Sequence, residues 1–313
     1  MQERPADLGE RELAAALTEH WDLADTTLTY APVGFGGYHW TAPGHFVTAN
    51  DLAHTDYETL RAAMDTAMAL ADLGFAVAPL STKDGNSAVR LRDRYALTLF
   101  PFVEAESGRF SDVPTPAQRA DMAAVLARLH NATPDVAAPP RHDPALADRA
   151  HLDAALGDLA RPWETGPYGE KTRALLAAHE SEIREALAAF DAIAGRIASG
   201  ATDLVITHGE PHRGNVLTAA GRLLLIDWDT ARLAPPERDL WMGLADDAEA
   251  RARYTRDTGH EVSEELVAFY ERRWALDDIA AYSHQFRQAH EHSADVEQSW
   301  EGLVWWLGKI TGV

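Results

Sequence analysis

The chain contains no cysteine. That excludes disulfides and thiolate metal sites, and it agrees with a reducing cytoplasm. Lysine is nearly absent as well. Of 28 basic residues only Lys83, Lys171 and Lys309 are lysines, and the rest are arginines. No apolar run reaches membrane-spanning length, and the opening "MQERPADLGERE" lacks the hydrophobic stretch of a signal peptide. The reading is a soluble cytoplasmic protein with no membrane partner. Positive charge is scarce overall, with a formal net charge of -21. A nucleic-acid partner is argued against, because its phosphates need basic stripes. An acidic surface serves solubility by default, and where a cleft focuses the field it gathers cations.

What is present is an ordinary globular balance, 46% hydrophobic and 25% charged over 313 residues, enough for one large domain or two modest ones. Leu13, Leu17 and Trp21 share one face of a helix expected over Glu10–Trp21, with Asp7 as its cap. Three strand-like runs follow: "TLTYAPV", then "HWTA" after the turn "GFGGY", then "HFVTA" after Pro43-Gly44. A helix from about Asp56 to Leu73 ends at Gly74, and the runs "FAVAPL" and "RYALTLF" flank the turn "STKDGN". This is the pattern of a small antiparallel sheet carrying one main helix.

After "PFVEAESG" the character becomes helical. Thr115-Pro116-Ala117-Gln118 offers an N-cap, a proline at the first helical position and a capping-box glutamine. A long helix is expected over Lys171–Ala198. The strand "DLVIT" leads into "THGEPHRGN", a hairpin "NVLT…GRLLLID" follows, and beyond Pro235-Pro236 four helices are expected: Asp239–Asp247, Glu261–Trp274, Asp277–His292 and Val296–Lys309. The expected class is α+β with two lobes: residues 1–104 as a β-rich lobe, and residues 105–313 as a larger, mostly helical one.

"THGEPHRGN" carries two histidines four residues apart. A helical zinc motif needs a glutamate directly after the first histidine and an unbroken helix, whereas here Glu210 stands two residues on and Pro211 breaks the turn. The better chemistry uses Glu210, Asn215 and the "IDWD" carboxylates Asp227 and Asp229. Phosphoryl transfer requires a carboxylate near the attacking hydroxyl, with Asn and Asp oxygens holding magnesium between phosphates. A hairpin between loop and aspartate brings both to one place.

The stretch "HGEPHRGNVL…LLLIDWDTARLAPPERDLW" resembles the catalytic core of the aminoglycoside phosphotransferase and choline-kinase-like family, relatives of protein kinases. The resemblance covers about Thr26 to the C-terminus. Its pattern is His-x-Asp-x-x-x-x-Asn, a strand ending in Asp-Trp or Asp-Phe, and a further Asp one turn into a helix. His208, Asn215, Asp227 and Asp239 stand in those places. The resemblance implies a bilobal kinase-like fold, with ATP or another nucleoside triphosphate and magnesium as cofactors. Residues 1–104 would be the nucleotide-binding lobe, and the acceptor would lie on residues 105–313. Asn215 and Asp227 would bind the metal, Asp239 would hold the catalytic loop, and Pro101 to Val103 would pair with adenine. The glycines Gly34, Gly36 and Gly37 would cover phosphates, although glycines serve a tight hairpin equally well.

Two departures stand out. Glu210 occupies the base position normally held by Asp, one methylene longer and equally basic. Thr48 stands where the third strand should carry a lysine clamping the α- and β-phosphates, and losing one such contact costs about 1.5–3 kcal/mol, roughly ten- to a hundred-fold. Glu58 would then be the lysine's orphaned partner, and His39, Arg61 or Arg213 its replacement. Candidate acceptor-side residues are Asp246, Asp247, Glu249, Asp277 and Asp278, with Trp241, Trp274 and Tyr282 as flat surfaces. The acceptor expected is a small, hydroxylated, cationic molecule, an aminoglycoside-type antibiotic or a metabolite, handled by a monomer or homodimer. The rival expectation is a pseudokinase-like binding protein. A third reading keeps the magnesium site with a different phosphate donor anchored by arginine.

Overall fold

A computed structural model describes every residue except Asp25, Phe35, Ser111, Pro134, Asp135, Ala137, Ala138, Ala201, Thr202, Ala245, Asp246 and Val313. Compactness divides the chain into two units, Met1–His142 with Asp203–Val262, and Asp143–Thr202 with Ser263–Val313. This division does not fall at the change of composition near residue 104. The segment Asp203–Val262 belongs with the N-terminal part of the chain.

In the first unit five antiparallel strands, β1 (Thr29–Ala31), β2 (Gly37–Ala42), β3 (His45–Asp51), β4 (Val89–Leu91) and β5 (Tyr95–Pro101), lie in the order β1-β2-β3-β5-β4. Side chains alternate across the sheet. Val47 and Ala49 of β3, with Leu97 and Leu99 of β5, pack with Leu13 and Leu17 of helix α1 (Glu10–Trp21). On the opposite face Phe46, Ala96 and Phe100 pack with Leu60, Met64 and Ala67 of helix α2 (Tyr57–Ala69). Fully burying each leucine contributes roughly 2 kcal/mol. Asp56 caps α2 by accepting from the Glu58 and Thr59 amides. Asp7 does not cap α1, whose N-cap is Gly9. It accepts instead from the Tyr95 hydroxyl at 2.7 Å, a stronger use of a carboxylate beside Arg94. "FAVAPL" forms no full strand. Its amides and carbonyls reach Leu225 through one bridge at Ala76, and Pro79 has no N–H with which to continue.

The rest of this unit holds the loop that carries "THGEPHRGN". β7 (Val205–Thr207) pairs with β10 (Arg232–Ala234), while β6 (Glu106–Ser107), β8 (Val216–Ala219) and β9 (Arg222–Leu225) form a second small sheet. Ala220 and Gly221 both have positive φ in the two-residue turn between β8 and β9, as a hairpin of matching twist demands. Helices α3 (Pro116–Asn131), with its capping box formed by Thr115 and Gln118, α7 (Glu237–Gly243) and α8 (Ala248–Thr258) complete it.

The second unit is helical: α4 (Arg149–Gly157), α5 (Gly169–Ala178), α6 (Glu180–Ala198), α9 (Glu264–Arg287) and α10 (Ala294–Thr311). The helix expected over Lys171–Ala198 is two helices, because His179 leaves helical dihedrals (φ -123°, ψ 21°). Conversely, α9 runs through the break expected near Leu276. Asp277 and Asp278 read as a helix start, but neither is a breaker, and buried Ala275, Leu276, Ile279 and Ala280 carry the apolar face onward. Among the described residues no helix is long and apolar enough to cross a membrane.

Candidate active site

Strand β7 delivers His208, Gly209 and Glu210. Gly209 has φ +98°, and a Cβ there would run into the Arg238 guanidinium, so the turn needs glycine twice over. The fully buried Asp239 of α7 holds this turn. Its Oδ2 accepts from the His208 amide at 2.9 Å and its Oδ1 from the Gly209 amide at 2.6 Å. Oδ2 also faces Nε2 of His130 at 3.1 Å, whose Nδ1 faces the Tyr254 hydroxyl at 2.7 Å. Burial alone would raise the Asp239 pKa. The hydrogen bond from His130 and the positive charge of Arg238, with the His130 and His208 rings beside it, outweigh it and hold the carboxyl below its usual value.

His208 ties the two halves of the site together. Its Nε2 lies 2.8 Å from the Ile226 carbonyl, the residue before Asp227, and its Nδ1 accepts from the Glu210 amide at 3.2 Å. A carbonyl on one side and an N–H on the other assign a neutral ring protonated at Nε2. Asn215 braces the same turn. Its Nδ2 donates to the Glu210 carbonyl at 3.1 Å, and its own carbonyl accepts from the Ile226 amide at 3.0 Å. The side-chain Oδ1 is thereby left as the oxygen that can face a cation. Glu210, Asn215 and Asp227 are thus coupled through four hydrogen bonds to backbone groups.

Asp227 adopts φ +65°, a left-handed conformation that Asp tolerates better than most residues and that carries strain of order 1–2 kcal/mol. Its side chain is open to solvent. Even so, protein packs thickly around it. Loss of water first, and the neighbouring Asp229 carboxylate second, push its pKa upward. Asp229 is raised too, by burial, with Arg232 offsetting only part. Two crowded carboxyls and an amide oxygen are hard donors suited to a divalent cation.

Burial lowers the His208 pKa to about 4, with the Asp239 charge opposing. The unfolded ring titrates near 6.5, so below that pH only the unfolded chain takes the proton. Stability is therefore lost as pH falls from about 6.5 towards 4, by up to about 3 kcal/mol. The ring carbon resonances of His208 should show no titration between pH 8 and pH 5. A midpoint near 6.5 would contradict the assigned bonding.

The other expected residues divide. Glu58 is no orphan. It forms an exposed ion pair with Arg61 on α2, which also holds Asp65, so neither faces the sheet as partner or substitute for a lysine. His39 lies opposite Thr48 in the β2–β3 register, 3.1 Å from its hydroxyl, and stacks on Phe46. Burial lowers its pKa to about 4, which leaves it neutral at pH 7. A Cβ on Gly34 or Gly37 would stand 3.1 or 3.2 Å from the His39 ring, and Gly36 has φ +92°. Room for the imidazole and the turn itself account for these glycines. In the hinge the Phe102 amide donates to the Gly44 carbonyl and Pro101 has no amide, which leaves Val103 as the donor among residues 101–103.

On the acceptor side Asp247 is a helix cap. It accepts from the Ala250 amide and pairs with Arg119 at 2.6 Å, so its charge is already committed within the fold. Asp246 lies outside the described residues. Trp241 is half-buried on α7. Asp278 belongs to α9 in the second unit. Burial raises its pKa to about 7 despite hydrogen bonds from Trp306, Tyr282 and Trp274, with the Asp277 charge adding to the rise. Beside the loop 208–215 a small cavity of about 90 Å³ is lined by Phe110, Met122, Pro211, His212, Arg213 and Met242. Sequence reading missed His130, Arg238 and Asn50. The Asn50 Nδ2 donates to Asp229 Oδ2 at 3.3 Å, and no local signal could have announced a partner 179 residues away.

Comparison with known proteins gives the following. A family model described as the phosphotransferase enzyme family matches residues 39–292. The protein StrN of Streptomyces griseus is 30% identical over 256 residues, 76% of this chain and 73% of that one. A spectinomycin phosphotransferase solved with ADP and spectinomycin has a TM-score of 0.72 at 16% identity, covering 98% of this chain and 100% of the other. Amicoumacin kinase, solved with AMP-PNP, Ca2+ and Ami, has a TM-score of 0.60 at 13% identity, covering 97% and 94%. These likenesses in structure show a kinase-like fold.

Proposed function

The chain belongs to the phosphotransferase enzyme family, and on that premise we propose that it transfers the terminal phosphoryl group of ATP, with magnesium, to a hydroxyl of a small cationic molecule. The observation that carries this reading is the bracing of Glu210, Asn215 and Asp227 by His208 and by the Asn215 amide. Glu210 would accept the hydroxyl proton or orient the hydroxyl for in-line attack. Asn215 and Asp227 would hold the cation, which when bound screens the phosphates' charge and that of Asp227 and Asp229 together. The Val103 amide would donate to an adenine nitrogen, with the partly buried Phe46 and Ile226, which pack against the same core as Val103, offering apolar surface to the base. Asp247, committed to Arg119, would not serve a cationic acceptor. Likeness to kinases solved with antibiotics supports an antibiotic or a related metabolite as acceptor.

A pseudokinase-like reading is favoured by one observation, the neutral pair His39–Thr48 where a cation would stand. Activity separates the two. With ATP and a panel of hydroxylated amines, the enzyme reading expects phosphorylated product, and Glu210→Gln should lower kcat by roughly 10²- to 10⁴-fold at little change in nucleotide affinity. Equal kcat in the variant would remove Glu210 from the mechanism, and no product with any acceptor would leave the binding-protein reading.

A further inference from the structure

The small cavity of the first unit begins one residue from the proposed base. Its walls are Phe110 from the segment before α3, Met122 on α3, Pro211 and His212 of the loop, and Met242 on α7. Glu210 is bonded to Pro211, and consecutive Cα atoms stand about 3.8 Å apart, so the Glu210 side chain starts at the wall of this cavity.

The walls are apolar, and they are not closed. Met122 and Pro211 are buried, whereas Phe110 is 45% exposed and Val113, on the same segment, is 86% exposed. Concave apolar surface left open beside polar groups is the usual form of a small-molecule site. The His212 ring is a fixed part of it. It lies against Gly214, where a Cβ would stand 3.0 Å from Cε1, and it meets Phe110 edge-on with the centroids 4.9 Å apart. Burial first, with His208 adding to it, lowers the His212 pKa to about 4, so the ring brings no charge at pH 7.

Arg213 and Asp112 also line the cavity, one charge of each sign. An ammonium entering here would meet Arg213 as well as Asp112 and would lose water against methionine and phenylalanine. An uncharged apolar group loses nothing by that exchange. A volume of about 90 Å³ gives room for roughly six waters, or for one carbocyclic ring in their place.

We propose that this cavity seats an uncharged apolar group of the acceptor, a ring or a branched alkyl group on the carbon that bears the reacting hydroxyl. The acceptor is then an amphipathic hydroxylated amine, whose ammonium lies outside the cavity. The inference rests on the phosphoryl-transfer reading above.

The test uses paired hydroxylated amines that differ only in a cyclohexyl group on the hydroxyl-bearing carbon, the simplest pair being 2-aminoethanol and 2-amino-1-cyclohexylethanol. With ATP and magnesium at saturation, the native chain is expected to favour the cyclohexyl member in kcat/KM by roughly tenfold or more. Met242→Trp, which fills the cavity, is expected to bring that ratio close to unity. Met242→Ala, which enlarges it, is expected to move the preference to a bicyclic counterpart. Opposite changes in preference at one position are not the result of general damage, and circular dichroism checks that both variants fold. A native ratio near unity, or a ratio that neither variant moves, would overturn this proposal alone, because phosphoryl transfer would still be seen. No product from any pair would overturn both this proposal and the function it rests on.

Discussion

Asp227→Asn is expected to lower phosphoryl transfer by roughly 10³-fold or more while the chain stays folded. The substitution keeps size and shape, and asparagine accepts the left-handed φ of +65° as readily as aspartate does. The hydrogen bonds that place the residue run from its neighbours, Ile226 to His208 and Asn215 and Trp228 to Leu225, and survive the change. What disappears is a charge that the protein itself disfavours, since partial loss of water and the Asp229 charge both push the Asp227 carboxyl towards its neutral form. Melting temperature without ligands should therefore hold steady or rise, while activity collapses. Charge that lowers stability and raises rate is the mark of a functional residue rather than a structural one. Parallel loss of both quantities would contradict the assignment.

Asp239→Ala is expected to do the opposite, costing about 3–5 kcal/mol of stability before any question of activity arises. The carboxylate is fully buried and accepts from the His208 and Gly209 amides while facing His130. Removing it strands two amide donors and an imidazole in a dry interior, at about 1–3 kcal/mol for each stranded group. That total is comparable to the whole stability of many proteins. Asp239→Asn should fall between, because its amide oxygen still accepts from one backbone N–H while its nitrogen confronts the other. Urea denaturation measures both. A loss below 1 kcal/mol in the alanine variant would mean that Asp239 does not hold the loop.

The juxtaposition of the loop with Asp227 was legible because its spacing is local. Glu210 and Asn215 lie five residues apart, and a short hairpin carries the chain to Asp227, so spacing alone places them together. The sheet was legible from period-two alternation, as at Val47 and Ala49 against Phe46. Acidic residues were legible only as acids. Asp247 caps a helix and pairs with Arg119, yet its sequence neighbourhood looks like a binding cluster. Glu58 looked available because nothing in a sequence shows that Arg61, one helical turn on, will hold it. The bond from Asn50 to Asp229 spans 179 residues and depends on the whole first unit folding. Local pattern carries hydrophobic period and cap chemistry, and the pairing of polar groups across the fold lies beyond its reach.

The most direct test is a thermal-shift titration with ATP and with GTP, each with and without magnesium, on the native chain and on Asp227→Ala. A ligand that binds only the folded state raises the melting point as its concentration exceeds Kd, by about 2.7 kcal/mol of stability at a hundredfold excess. The account predicts a rise with at least one nucleotide that requires magnesium and is lost in Asp227→Ala. No shift at millimolar nucleotide, or a shift indifferent to both magnesium and Asp227, would contradict it.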